Sequence, residues 1–172
     1  EITYIQDKRC KMKNNFYIKQ AIIDDVPLIL SFIKELADYE KLLHEVVATE
    51  SILRDSLFGK KSNAEVIIGY LNETPVSFAL YFYNFSTFLG RPGIYLEDLF
   101  VKPEARSNGI GKQMLRYLAE LAKKQQCGRL EWWVLDWNKD AINFYEKIGA
   151  KAMNEWTVYR LTGESLDDLS RS

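Results

Sequence analysis

Apolar and polar positions divide the chain into short alternating runs and longer stretches with helical spacing. Residues 16–22 alternate and are rich in aromatic and β-branched side chains, which predicts a first strand. In "VPLILSFIKELADYEKL", which begins at Val26, residues Leu28, Ile29, Phe32, Ile33, Leu36 and Tyr39 recur at helical spacing. Asp24 and Asp25 suit the N-cap region of that helix, and Pro27 is tolerated in its first turn. Residues 49–59 read as a shorter helix closed by Gly59. Residues 66–71 and 76–85 are predicted strands, joined through "NETP" at 72–75 as a hairpin. A strand at 94–101 then leads into a helix at 109–126 with Ile110, Met114, Leu115, Leu118, Leu121 and Ala122 on one face. A buried strand at 130–135, a helix at 139–148 stopped by Gly149 and a last strand at 157–161 complete the reading.

This order predicts a mixed α/β fold with about four helices and parallel crossovers around the strands at 94–101 and 130–135. The sequence has no repeat, low-complexity tract or linker, so residues 16–172 are read as one domain. Residues 1–15 form an N-terminal extension set outside the fold, with Met12 as the expected native start. Composition narrows the partners. The 23 basic and 24 acidic residues give a net charge of -1, which provides no electrostatic footprint for nucleic acid or an anionic membrane. No apolar run approaches the roughly 18 residues of a membrane span, so a soluble protein is expected, and free thiols point to the cytoplasm. Two cysteines, Cys10 and Cys127, and a single histidine, His44, are too few for a His/Cys metal site or a disulfide framework. No metal is expected, and both thiols are expected to be free.

The chemistry concentrates at "YLEDLFVKPEARSNGIGKQML", residues 95–115, where a strand turns into a helix through two glycines. N–H groups at a helix start lack intrahelical partners, and the helix dipole adds positive character there, so phosphate is a natural ligand. Gly109 and Gly111 remove Cβ atoms where an anion would approach, and Arg106 can add charge or brace the loop. A plain strand-to-helix turn could need the same glycines for its geometry. A Walker A loop would require glycine at Arg106 and Ser or Thr at Gln113, and a dinucleotide fingerprint would require glycine at Met114. Both fail, which leaves R-x-x-G-x-G.

That pattern, placed after "LFVKPEA" and before an amphipathic helix, resembles the acyl-CoA pyrophosphate loop of the GCN5-related N-acetyltransferase superfamily. "YLEDLFV", "RSNGIG", "DWNKDAINFYEKIGA" and "FIKELADYEK" together resemble its spermidine/spermine (diamine or thialysine) N-acetyltransferase branch, over roughly residues 16–161. The resemblance implies a twisted, mostly antiparallel sheet, splayed between its two crossover strands, with acetyl-CoA in the opening and flanking helices outside. It implies that backbone amides of Ser107, Asn108, Gly109, Ile110, Gly111 and Lys112, with Arg106, hold the pyrophosphate. Phe100 and Val101 would hydrogen-bond the pantetheine arm, and Asn138 and Asn143 would hold the cofactor near the second crossover. It further implies Tyr145 as the acid for the leaving thiolate, Glu97 as the base, and Asp98, Glu35 and Tyr39, with Asp38 and Glu40 nearby, as acceptor-binding residues. A homodimer is implied as well.

The residue types suit this chemistry. An aliphatic amine with a pKa near 10.4 is free base in only about one molecule in two thousand at pH 7, so a base is needed. Glu97 is on a strand expected to be largely buried, where desolvation would raise its pKa and strengthen it as a base. A phenol such as Tyr145 can protonate a departing thiolate. Each residue also has a plainer reading. Tyr145 could be a core residue of its helix, Glu97 or Asp98 could be solvated on the opposite face of the strand from its neighbour, and Glu35 and Tyr39 could belong to an exposed helix end. The leading expectation is an acetyl-CoA-dependent transferase for a small polyamine or diamine. The rivals are acetylation of a thialysine-type amino acid or a protein amine, and an acyl-CoA-binding sensor without turnover.

Overall fold

The computed structural model describes residues 2–3 and 15–172. The chain divides into two compact units, Glu1–Trp133 and Val134–Ser172. The first holds a six-stranded sheet in the order β1-β2-β3-β4-β5-β6. Its strands are β1 Ile2–Thr3, β2 Phe16–Gln20, β3 Glu65–Leu71, β4 Thr74–Ser86, β5 Arg91–Val101 and β6 Leu130–Trp132, with helices α1 Val26–Tyr39, α2 Glu50–Phe58 and α3 Ile110–Lys124. Neighbours from β1 to β5 are antiparallel, and β5 and β6 are parallel, joined by α3 as their crossover. Within the stretch set outside the fold, Ile2 and Thr3 pair with Lys19 and Ile18 of β2. Cys10 and Met12 lie outside the described residues.

Local chemistry explains the first unit. Asp25 Oδ2 accepts the Ile22 N–H at 2.8 Å just before α1, and Thr49 Oγ1 accepts the Ile52 N–H at 3.3 Å to cap α2. The β3–β4 hairpin closes on Asn72 and Glu73, with φ of 49° and 65°, the two-residue turn whose handedness matches strand twist. Alternation along the strands divides the core. Val66, Ile68, Phe78 and Phe100 pack with Val26, Ile29, Phe32 and Leu53 of α1 and α2. Ile67 and Ala79, equally buried, point to the opposite face, where α3 contributes Ile110, Met114, Leu115 and Leu118. Phe32 ties the first layer together, stacked at 5.2 Å on Phe78 and edge-on at 6.3 Å to Phe100.

The second unit carries α4 Lys139–Lys147 and α5 Gly163–Arg171. Among the described residues there are therefore five α-helices, against the about four expected. The expected strand at 157–161 is not formed. That segment runs without regular structure and exposes Trp156, Val158, Tyr159 and Leu161, since a strand needs a hydrogen-bonded neighbour and none pairs with it among the described residues. The expected strand at 130–135 shortens to Leu130–Trp132, only partly buried, with Trp133 58% exposed after it.

Candidate active site

Pairing between β5 and β6 covers only Ile94, Tyr95 and Leu96, opposite Leu130, Glu131 and Trp132. β5 continues for five more residues, Glu97 to Val101, with β4 on one side and no strand on the other among the described residues. This open half-edge is the splay expected between the crossover strands. Phe100 buries its ring in the α1 layer and pairs with Phe78 of β4. The carbonyl of Val101 is already engaged, accepting from Arg106 Nε at 2.9 Å.

A register shift marks the start of the open half. Leu80 of β4 pairs with Asp98 whereas Tyr81 pairs with Leu96, so Glu97 is the extra residue of a β-bulge. Here the expectation for Glu97 needs correction. It is exposed, not buried, because the bulge takes it out of the ladder, and it is Asp98 that is partly buried. Desolvation of Asp98, followed by the charges of Glu97 and Glu40, pushes its pKa up to about 6. Burial also raises the Glu40 carboxyl. Nothing in "YLEDLFV" announces a bulge, so simple alternation could not assign the two carboxylates to their environments.

After β5 the chain makes a short turn and enters the glycine loop. Ser107 and Gly109 have φ of 64° and 72°, which turns successive N–H groups inward as in an anion-binding nest. Among the described residues, no N–H from Ser107 to Lys112 finds a protein acceptor, and the first bond from this end of α3 runs from Gln113 N–H to Gly109 O at 3.1 Å. Asn108 Nδ2 donates to the carbonyls of Ala105 and Arg106, each at 3.2 Å, and fixes the loop from within. The glycines differ in purpose. Gly109 needs its positive φ, whereas a Cβ on Gly111 would meet only Val101 Cγ2 at 3.8 Å, an ordinary contact. The protein's own packing therefore does not demand glycine at 111, and the space it leaves opens toward free N–H groups. These features fit a pyrophosphate.

Of the residues expected to bind the acceptor, Glu35 and Tyr39 lie on α1 and Asp98 on β5. The Tyr39 ring carries the Arg106 guanidinium 4.5 Å above its centroid. Glu35 is already engaged, because its Oε1 accepts from Ser31 Oγ at 3.1 Å and lies 3.8 Å from Lys102 Nζ. Lys102, which also sits 5.5 Å from the Phe32 ring, has no counterpart in the sequence reading. Its only available signal was a lone cation just after two carboxylates. In the second unit, Asn138 caps α4 by accepting the Ala141 N–H at 3.2 Å, and Asn143 is exposed. Tyr145 is partly buried beside Phe144, ring centroids 5.4 Å apart, and its carbonyl accepts from Ala150 N–H at 3.0 Å. Among the described residues no group of three His, Cys, Asp or Glu side chains could hold a metal ion, and no helix is long and apolar enough to cross a membrane.

A nest-forming loop at the start of a crossover helix, directly after a half-paired strand, is the arrangement that the resemblance to an acyl-CoA-dependent transferase implied. The sequence model of the Acetyltransferase (GNAT) family matches residues 31–150, across both units, and the chain belongs to that family. Its relatives make it an N-acetyltransferase. It is 37% identical over 164 residues to the thialysine N-epsilon-acetyltransferase of Bos taurus, covering 89% of this chain and 96% of that one. It is 32% identical over 199 residues to an L-ornithine N5-acetyltransferase of Arabidopsis thaliana, covering 90% and 87%. A spermidine/spermine N(1)-acetyltransferase-like protein of Homo sapiens is 32% identical over 90% of this chain but only 24% of that longer one. Among solved structures, an integron cassette protein from the mobile metagenome of V. cholerae superposes with a TM-score of 0.77 at 31% identity, covering 91% and 98%. Acetyl-CoA is the co-substrate of this family.

Proposed function

We propose that the protein acetylates a primary amine of a small polyamine or diamine by direct attack in a ternary complex. The observation that carries this reading is the succession, along one strand and loop, of two adjacent carboxylates at a bulge and a run of unpartnered N–H groups beside a glycine that packing does not require. Acetyl-CoA supplies the activated acetyl thioester. The loop amides from Ser107 to Lys112 hold its pyrophosphate, and the open half of β5 hydrogen-bonds its arm through Phe100 and Val101 as an added strand would. Asn138 and Asn143 are proposed to hold the cofactor as well.

Asp98 and Glu97 share the work on the amine. Asp98, with its raised pKa, is suited to take the amine's proton near neutrality, directly or through water, and exposed Glu97 attracts the cationic substrate. In the alternative division of labour, Glu97 is the base and Asp98 binds the substrate. Tyr145 donates its phenolic proton to the departing sulfur, and Tyr145→Phe should lower kcat at least tenfold with little change in acetyl-CoA binding. Tyr39 and the α1 end form the acceptor wall, while Glu35 is partly neutralised by Lys102. A homodimer working in the cytoplasm completes the reading, and the free thiol of Cys127 suits a reducing compartment.

A second reading, acetylation of a thialysine-type amino acid, is favoured by the 37% identity to a thialysine N-epsilon-acetyltransferase. Substrates that differ by a methylene are separated by only about 1–3 kcal/mol, so the acceptor must be measured. The test is the initial rate of CoA thiol release with spermidine, spermine, putrescine, thialysine, ornithine, lysine and a lysine peptide. Saturable release with spermidine, spermine or putrescine supports the first reading, and preference for thialysine or ornithine supports the second. Acetyl-CoA binding with silence across the panel would leave an acyl-CoA sensor.

A further inference from the structure

Arg106 opens the glycine loop, yet its side chain does not lie along it. Its Nε donates to the carbonyl of Val101, the last residue of β5. Its guanidinium lies over the Tyr39 ring at 4.5 Å and within 5.6 Å of the Phe100 ring. Its own carbonyl accepts from Asn108 Nδ2 inside the loop. One residue thus joins three parts of the first unit: the loop, the end of the open strand and the last turn of α1. That last turn is held by local bonds, Lys41 N–H to Asp38 O at 3.0 Å and Leu42 N–H to Ala37 O at 2.7 Å, with Lys41 at a φ of 63°.

We propose that Arg106 is a positioning residue that couples the two substrate sites, so that filling of the loop by the cofactor orders Tyr39 and the end of α1 that faces the acceptor. This inference rests on the proposed reading of the loop and of α1. The physical link is a planar cation fixed at one edge by a carbonyl and covered by an aromatic ring, which a flexible point charge does not reproduce. An anion that immobilises the Asn108–Arg106 turn removes the motion that would let the guanidinium leave Tyr39. By linkage, the acceptor then tightens cofactor binding by the same factor that the cofactor tightens the acceptor.

Hydrogen exchange of the full chain with and without CoA tests this and needs no acceptor. In the parent protein, CoA should slow exchange at 107–112 and also at 38–42. In Arg106→Ala the first protection should persist and the second should be lost, and Tyr39→Leu, which breaks the stack from its other side, should behave the same way should Arg106→Ala not fold. Tyr39→Phe, which keeps the ring, should retain both. In steady state, Arg106→Ala should raise the amine KM about three- to tenfold, and the Arg106→Ala/Tyr39→Leu double variant should be no worse than either single. Protection confined to 107–112 in the parent, or a rise in acetyl-CoA KM alone, would overturn the coupling and leave the cofactor site standing. Absence of protection at both segments would overturn the cofactor reading itself.

Discussion

At the residue scale, the two loop glycines should separate experimentally. Gly111→Ala adds a methyl that meets only Val101 Cγ2 at 3.8 Å, so stability should hold or rise by up to about 1 kcal/mol, as alanine replaces glycine in a helix. Its acetyl-CoA KM should rise tenfold or more, because the methyl occupies the approach to the loop amides. Gly109→Ala forces a side chain to a φ of 72° and should cost about 1–2 kcal/mol in a denaturant melt. Asp98 gives a pH signature. The folded chain binds its proton more tightly than the unfolded one, so its favourable contribution is fully present below the ordinary pKa of 3.8 and is lost as pH rises through about 6. Asp98→Asn should therefore match the parent near pH 4 and exceed its stability by up to about 3 kcal/mol at pH 8. If Asp98 is the base, the acidic limb of kcat/KM near pH 6 should survive Glu97→Gln and vanish in Asp98→Asn. The glycines and the acidic pair were legible in the letters. The different environments of Glu97 and Asp98 were not, because a one-residue bulge reassigns them without any signature in the run that contains it.

At the scale of the element, α1 ends in a Schellman arrangement with Lys41, not glycine, in the left-handed position. Lys41→Gly relieves that backbone and should raise stability by about 0.5–1 kcal/mol in chemical denaturation, without altering the core. Elements whose partners are near in sequence were readable: α1 and α3 from their apolar faces, and the 71–74 hairpin from its turn residues. The alternating segment at 157–161 had every local mark of a strand, but local marks cannot supply the neighbour on which a strand depends. The α5 helix was missed for a similar reason. Leu166 and Leu169 are too sparse a stripe to stand out, and they remain 52% and 62% exposed. Lys102 was invisible because pairing with Glu35 joins the end of one strand to a distant helix.

For the molecule as a whole, the homodimer of the proposed function is open to a direct test. Sedimentation velocity at micromolar concentration should give a species of twice the 20.1 kDa chain mass. A monomer there would remove the dimer from the proposed function. The parallel β5–β6 pair and its crossover were foreseen from the order of elements alone. The depth of the splay was not, since it depends on how soon β6 stops. That early stop also bears on how the protein behaves in a tube. Along its last five residues β5 has no strand on its outer side among the described residues, and the backbone groups there that neither β4 nor Arg106 engages can pair with any extended peptide, another copy's strand included. A co-substrate lying along this edge, as the proposed function has it, would also keep it from foreign strands, so preparations held in CoA should stay clear on concentration or warming when CoA-free ones turn turbid.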